Sequence, residues 1–269
     1  MHVPRTLTRT VAGLMAMQAA LGLIASAQYR DVDWIRATWF GNDWLTLVIA
    51  VPLLLISSHA AQRGSARGYL LWAGAVGYAL YNYAFYLLGA ALNVFFPLYA
   101  VLVVLATVTL IVALGRFDPA SIAVDGRRGR ISGGALVIVG GALAVVWTTM
   151  WAAYVFAGRA TPVEPEVFRL VAALDLSLMV PALVSGGVLL WRRRPWGLVI
   201  AAIAGVQGSL YLAVLSLNSL IAIQRRFAEW PGEFVIWAPA TVVMATVTLL
   251  LLVDVRPGMR RAGEVGDRG

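Results

Sequence analysis

The chain has 269 residues, is 61% hydrophobic and only 13% charged, and carries a formal net charge of +8. An average globular chain is roughly 25% charged, and this one has too little polar surface to cover a body of its mass in water, so a soluble fold is excluded. With no Cys, only His2 and His59, and Arg for all 21 basic residues, the chain cannot build a disulfide, a thiolate, iron–sulfur or three-histidine zinc centre, a bis-histidine haem or a Schiff-base lysine.

A helix needs about 20 apolar residues to cross the hydrocarbon core. Eight such stretches follow one another: Thr10–Gln28, Trp44–Gln62, Tyr69–Leu92, Phe95–Leu114, Gly133–Ala157, Val167–Trp191, Trp196–Ile223 and Phe234–Val253. Apolar residues run all the way round each one, as in a bilayer helix. Backbone groups in lipid must be satisfied internally, so the stretches are expected to be helices; barrel strands would alternate polar and apolar residues, and these do not.

The connections alternate in charge. One side holds 15 arginines, among them Arg5, Arg9, Arg63, Arg67, Arg128, Arg130 and Arg192 to Arg194; the other holds six and seven acids, Asp31, Asp33, Asp43, Glu164, Glu166, Glu229 and Glu233. Arginine-rich loops are cytoplasmic, which places both termini in the cytoplasm and makes the +8 charge a topology signal rather than a nucleic-acid footprint. Arg5 and Arg9, an apolar run and Ala25-Ser26-Ala27 also fit a secretory signal peptide; retention of the first helix is preferred because it completes a repeat.

That repeat is read at two offsets. At 129 residues, Pro52 meets Pro181, Arg63 meets Arg192 and Gly68 meets Gly197. At 139 residues, Val103–Leu110 meets Val242–Leu249 with seven of eight positions identical. Two four-helix halves follow, at 1–115 and 133–255, joined by an Arg-rich linker at 116–132 with turn signals at Asp118-Pro119 and Asp125-Gly126, and followed by a cytoplasmic tail at 256–269. Each half crosses an even number of times, so the repeats are parallel.

Asp175 is read as the only acid well inside a span, roughly 12 Å deep at ~1.5 Å per residue. A carboxylate there must face the bundle or water, and is either a proton, cation or substrate site or a hydrogen-bonded group that glues helices. The third stretch carries Tyr78, Tyr81, Asn82, Phe85 and Tyr86, of which 78, 82 and 86 share one face. Asn82 has the depth of Asp175, as do Thr148, Thr149, Ser216 and Thr241, so an outward polar cavity with Asp175 facing Asn82 is allowed. Pro52, Pro181 and Pro239 can kink their helices. The outer loop Tyr29–Asp43, with Trp34, Trp39 and Phe40, fits an interfacial aromatic segment or a lid. Gln18 is most simply an interhelical bond. Motifs of nucleophilic, zinc-protease or P-loop chemistry are absent, and no cofactor is expected.

Three blocks carry a resemblance: Trp39-Phe40-Gly41-Asn42-Asp43 with Pro52 beyond; Tyr81 to Tyr86 followed by Asn93; and Leu174-Asp175-Leu176 leading to Pro181 and Trp191 to Gly197. They resemble a group of bacterial polytopic membrane proteins with no assigned activity. The resemblance implies the fold and no site. The helix count is also that of membrane lysoplasmalogenase-type hydrolases, but those are expected to use more than one intramembrane acid.

The expectation is therefore an all-α, eight-span inner-membrane protein of two parallel four-helix repeats, in contact with membrane lipids. Its leading function is transport or channelling of a small solute or ion, with Asp175 protonatable and Asn82, Tyr81, Tyr86 and Ser216 lining the site. The alternatives are a membrane-embedded enzyme acting on a lipid and a structural partner in an envelope complex.

Overall fold

The computed structural model describes residues 3–161, 165–226 and 232–257. Within them lie eight long helices: α1 (Arg5–Ile24), α2 (Asp33–Gln62), α3 (Ala66–Gly89), α4 (Phe96–Leu114), α5 (Gly126–Ala157), α6 (Pro165–Trp191), α7 (Pro195–Gln224) and α8 (Gly232–Val253). Seven are long and apolar enough to cross a membrane; α3 falls outside because Arg67, its glycines, five tyrosines and Asn82 dilute its apolar content. It is also the most enclosed helix, buried along nearly every face from Gly68 to Tyr83, so it has little need of lipid-facing side chains. The seven spans make the chain a multi-pass, membrane-embedded helical protein. Ile56, Ile138, Phe156, Val242 and Leu249 lie exposed on three of them, a surface stable against lipid and not against water.

Two boundaries differ from the sequence reading. The outer loop Tyr29–Asp43 is neither a leaflet-bound segment nor a lid: from Asp33 it is the first part of α2, with Trp39, Asn42 and Asp43 buried. The Phe40 ring lies under the Arg225 guanidinium at the end of α7, 4.9 Å from its centre. Likewise α5 begins at Gly126, inside the expected linker, because Asp125 is an N-cap rather than a turn residue: its carboxylate accepts from the Arg127 and Arg128 N–H groups at 3.0 and 3.2 Å.

The helices contact one another in a regular pattern. α1 packs on α2 and α4, α2 on α3, and α3 on α4; α5 packs on α6 and α8, α6 on α7, and α7 on α8. The two sets meet through α3 on α7, with α2 reaching α7 and α6 reaching α3. In α7, 67% of the apolar stretch is buried, against 22% in α5 and α8, so α3 and α7 are the centre and α5 and α8 the periphery.

Local details recur at the 129-residue offset. α2 and α6 each contain one turn of π-helix, at Thr46–Ala50 and Asp175–Met179, with Pro52 and Pro181 just beyond. Each proline thus follows a widened turn within its helix. The turn to the next helix uses a left-handed residue at Gly64 and at Arg193. The Ser65 N–H donates to the Ala60 carbonyl at 3.1 Å, and the Arg194 N–H to the Leu189 carbonyl at 2.8 Å. Between α3 and α7 the contacts are reciprocal: Gly74 sits under Val206, and Gly77 under Ile203.

The arginine-rich ends gather at one end of the bundle. The Trp72 indole donates to Thr8 Oγ1 at 3.2 Å and the Tyr69 hydroxyl to the Ala113 carbonyl at 3.0 Å. Arg128 pairs with Asp254, and Ile122–Ala123 (β1) pairs antiparallel with Arg256–Pro257 (β2), Ile122 opposite Pro257. Glu164, Glu229, His2 and the tail arginines Arg260, Arg261 and Arg268 lie outside the described residues.

Candidate functional site

Asp175 opens the π-turn of α6 and is buried. Its two oxygens are held from two other helices. The Tyr81 hydroxyl of α3 donates to Oδ1, and the Trp147 indole N–H of α5 donates to Oδ2 at 2.8 Å. Tyr211 of α7 meets the Tyr81 ring edge-on, 4.9 Å between centres, and Phe168 packs on Trp147. Trp147 is the contact the sequence reading missed; the expected Thr148 and Thr149 beside it are exposed.

Asp175 is not the only acid in the interior. Asp43 has no exposed surface. Its Oδ2 accepts from the Tyr29 hydroxyl at 2.6 Å, and its Oδ1 from the Tyr86 hydroxyl at 2.8 Å and Gln18 Nε2 at 3.2 Å. Tyr83 donates to Gln18 Oε1 at 3.0 Å, so α1, α2 and α3 close round one carboxylate. Tyr86 also stacks on Trp39 and Tyr99, 4.7 and 5.0 Å between ring centres. Gln18 therefore is an interhelical bond, to a partner that the sequence reading had placed in a loop.

The expected site residues divide among separate places. Tyr81 meets Asp175, whereas Tyr86 belongs to Asp43. Five residues of helix turn the chain by about 140°, so the two tyrosines leave α3 on different faces, each toward its own acid. Asn82 does not bond Asp175. It accepts from Asn42 Nδ2 at 3.5 Å, and Asn42 accepts in turn from Asn218 Nδ2 at 3.0 Å. This row of three amides joins α3, α2 and α7, leaving Asn82 Nδ2 and Asn218 Oδ1 without a partner. Ser216 shares a hydrogen bond with Thr241 of α8 at 3.0 Å and does not bond Asp175. Thr46, which stands at the 129-residue offset from Asp175, bonds the Tyr78 hydroxyl at 3.1 Å.

Among the described residues neither acid has a cationic partner; the two ion pairs are Arg36–Asp33 and Arg128–Asp254. No group of three His, Asp or Glu is placed to hold a metal ion among them. The chemistry of the Asp175 site follows from its donors. An ionised carboxylate only accepts, and both its oxygens are occupied by donors. An indole N–H only donates, so a protonated Asp175 could turn its O–H only toward Tyr81, whose hydroxyl both donates and accepts. Of the two side chains bonded to Asp175, Tyr81 is thus the one whose contact a proton on the carboxyl could reverse.

No protein-family model matches the chain, and no curated protein or solved structure matches it either.

Proposed function

We propose that the chain is an eight-span inner-membrane protein of two parallel four-helix repeats, with both termini cytoplasmic, that moves a small solute or ion and uses Asp175 as its protonatable group. In this reading α3 is the eighth span, apolar enough because protein rather than lipid surrounds it. The repeat is supported by the two π-turns, the matched hairpins and the reciprocal pairs Gly74–Val206 and Gly77–Ile203, in which residue i touches j′ while j touches i′, the signature of a two-fold relation. The orientation is supported by the gathering of the arginines at one end. Transporters of repeated architecture hold their sites between the halves, which is an analogy of architecture.

The observation that carries the functional reading is the Tyr81–Asp175 bond. It ties α3 of the first half to the π-turn of α6 in the second, and it is the contact that changes when the carboxylate takes a proton. A carboxylate that only fastened helices would make the same bonds to Tyr81 and Trp147, and the flux of Asp175→Asn separates the two readings. The lipid-enzyme reading needs two acids on one substrate; Asp43 supplies a second acid, but it lies on another face of α3 with its oxygens filled by Tyr29, Tyr86 and Gln18.

The test is flux in liposomes reconstituted with the full chain, screening protons and small solutes. Asp175→Asn keeps the size and most hydrogen bonds but cannot ionise. It is expected to stay folded by detergent melting and to lose flux. A stable Asp175→Asn protein with full flux would refute the role of Asp175. Tyr81→Phe should slow flux while Trp147→Phe lowers the melting temperature more than the flux.

A further inference from the structure

At the arginine-rich end, α5 and α6 leave an open groove of about 390 Å³ between them, lined by Arg130, Ile131, Gly134, Ala135, Ile138 and Trp191. We infer that this groove is a binding site for an anionic glycerophospholipid, its phosphate on Arg130 and its acyl chain running along Gly134 toward Ile138. The inference depends on residence in a bilayer and on no transport activity.

The groove exists because the two helices touch backbone to backbone. A Cβ on Gly133 would stand 2.6 Å from the Gly187 carbonyl oxygen, and one on Gly187 2.5 Å from that of Gly133. So close an approach of small residues is how bilayer helices associate, and here it leaves the flank of the seam unfilled. Gly134 and Ala135 form a floor without bulk. The Trp191 ring lies against Gly134, where a Cβ would come within 3.0 Å of Cζ3. Ile131, Ile138 and Trp191 form the walls and are 63%, 73% and 55% exposed, toward the side on which lipid stands.

The basic end is built as well. Arg130 Nε donates to the Gly126 carbonyl at 3.2 Å. The Arg193 guanidinium lies over the same glycine, its Nη2 2.8 Å from where a Cβ would be. Two guanidinium groups therefore converge on Gly126. The acids near them are engaged elsewhere, Asp125 by the N–H groups of Arg127 and Arg128 and Asp254 by the Arg128 side chain, and neither Arg130 nor Arg193 has an acidic partner among the described residues. Guanidinium forks match phosphate oxygens, and tryptophan favours the headgroup level. An apolar groove with Arg130 at one end and Arg193 over the neighbouring Gly126, opening sideways to the bilayer, fits an amphiphile with an anionic head, not a soluble anion or a peptide. Basic pockets between helices on the cytoplasmic side are a recurring setting for anionic headgroups.

The experiment uses the full chain, stripped of lipid in detergent and titrated with phosphatidylglycerol or phosphatidylcholine of identical acyl chains, with bound lipid counted by native mass spectrometry. Phosphatidylglycerol should be retained several-fold better. Arg130→Gln and Arg193→Gln should each cut its retention by roughly five- to tenfold, the weight of one arginine near an anionic headgroup, while phosphatidylcholine is unaffected. Arg5→Gln, at the same end of the bundle but outside the groove, should change nothing. Equal retention of the two lipids overturns the inference. So does an Arg5→Gln loss as large as that of Arg130→Gln, which would mean diffuse surface charge. Displacement of the lipid by equimolar glycerol phosphate also overturns it, since the groove would then contribute nothing.

Discussion

Gly13 and Gly22 lie on the same helix, and replacing each by alanine makes the same chemical change in opposite surroundings. A Cβ on Gly13 meets nothing within 4 Å, whereas one on Gly22 would overlap Asp43 Oδ2 and the Tyr29 hydroxyl and lie 2.9 Å from Asp43 Cγ. Alanine is favoured over glycine inside a helix by about 1 kcal/mol, and that gain is common to both. At Gly22 the methyl must push α1 away or turn the carboxylate. Overfilling a packed site costs about 1–3 kcal/mol, and the bonds from Tyr29 at 2.6 Å and Gln18 at 3.2 Å are then at stake, each worth roughly 0.6–1.7 kcal/mol between membrane helices. Gly22→Ala should therefore destabilise by about 1–5 kcal/mol while Gly13→Ala is neutral or stabilising. Detergent melting curves of the two variants, taken side by side, read the difference. In an Asp43→Ala background the space opens and Gly22→Ala should lose most of its penalty, a coupling that only neighbours show. If Gly22→Ala melts with or above Gly13→Ala, α1 is not docked on the Asp43 carboxylate and the account of that site fails.

Three further outcomes are expected. Reporters fused after Arg194 and after Gly269 should both signal from the cytoplasm, and an external signal at either would overturn the orientation. The backbone N–H groups of Arg128 and Arg127 hold the Asp125 carboxyl below its ordinary range; the stability this cap contributes is complete above the unfolded carboxylate range and is lost as pH falls through the lower folded value. Asp125→Asn keeps the cap uncharged, so its melting temperature should vary less between pH 7 and acid than the wild type's. Arg193 adopts φ 55 where Gly64 does the equivalent turn at φ 88, so Arg193→Gly should raise the melting temperature in lipid-free detergent by relieving roughly 1 kcal/mol of left-handed strain, and a lower value would refute strain at this turn.

The spans were readable because hydropathy reports contact with lipid: each of the eight apolar runs overlaps a helix, and seven of those helices are long and apolar enough to cross a membrane. The same quantity fails where a helix faces protein. Asn42 and Asp43 read as loop because a polar residue turned toward Gln18 and Tyr86 scores like one turned toward water. The 129-residue offset held the missing clue: Val167, the expected start of the sixth span, corresponds to Thr38, six residues before the expected start of the second, and would have drawn Asp43 inside. Asp175 was legible as an interior acid because it sits amid unbroken apolar sequence. Its partner was mistaken because Asn82 and Tyr81 stand 100° apart on one helix, and which of them faces α6 depends on how the helices pack, not on the pattern along either. Trp147 was missed for the same reason, a tryptophan in an apolar run being indistinguishable from an anchor until its indole finds a carboxylate.

In the proposed two-repeat frame the backbone is duplicated and the polar contents are not. The π-turns coincide at Thr46–Ala50 and Asp175–Met179, yet the first begins with a hydroxyl bonded to Tyr78 and the second with a carboxylate bonded across to the other half. The first half's own acid, Asp43, stands three residues ahead of its π-turn, about one helical turn, and bonds inward to α1 and α3 of its own half. Tyr211 of α7 stands where α3 has Asn82. A duplicated frame holding identical groups would divide any function equally between the halves. Here the first half's carboxylate fastens α1, α2 and α3 together, whereas the second half's is shared between Trp147 of its own half and Tyr81 across the seam. Under the proposed function this asymmetry would separate a fastened half from one whose contact changes with a proton, and the bond that would change is Tyr81–Asp175.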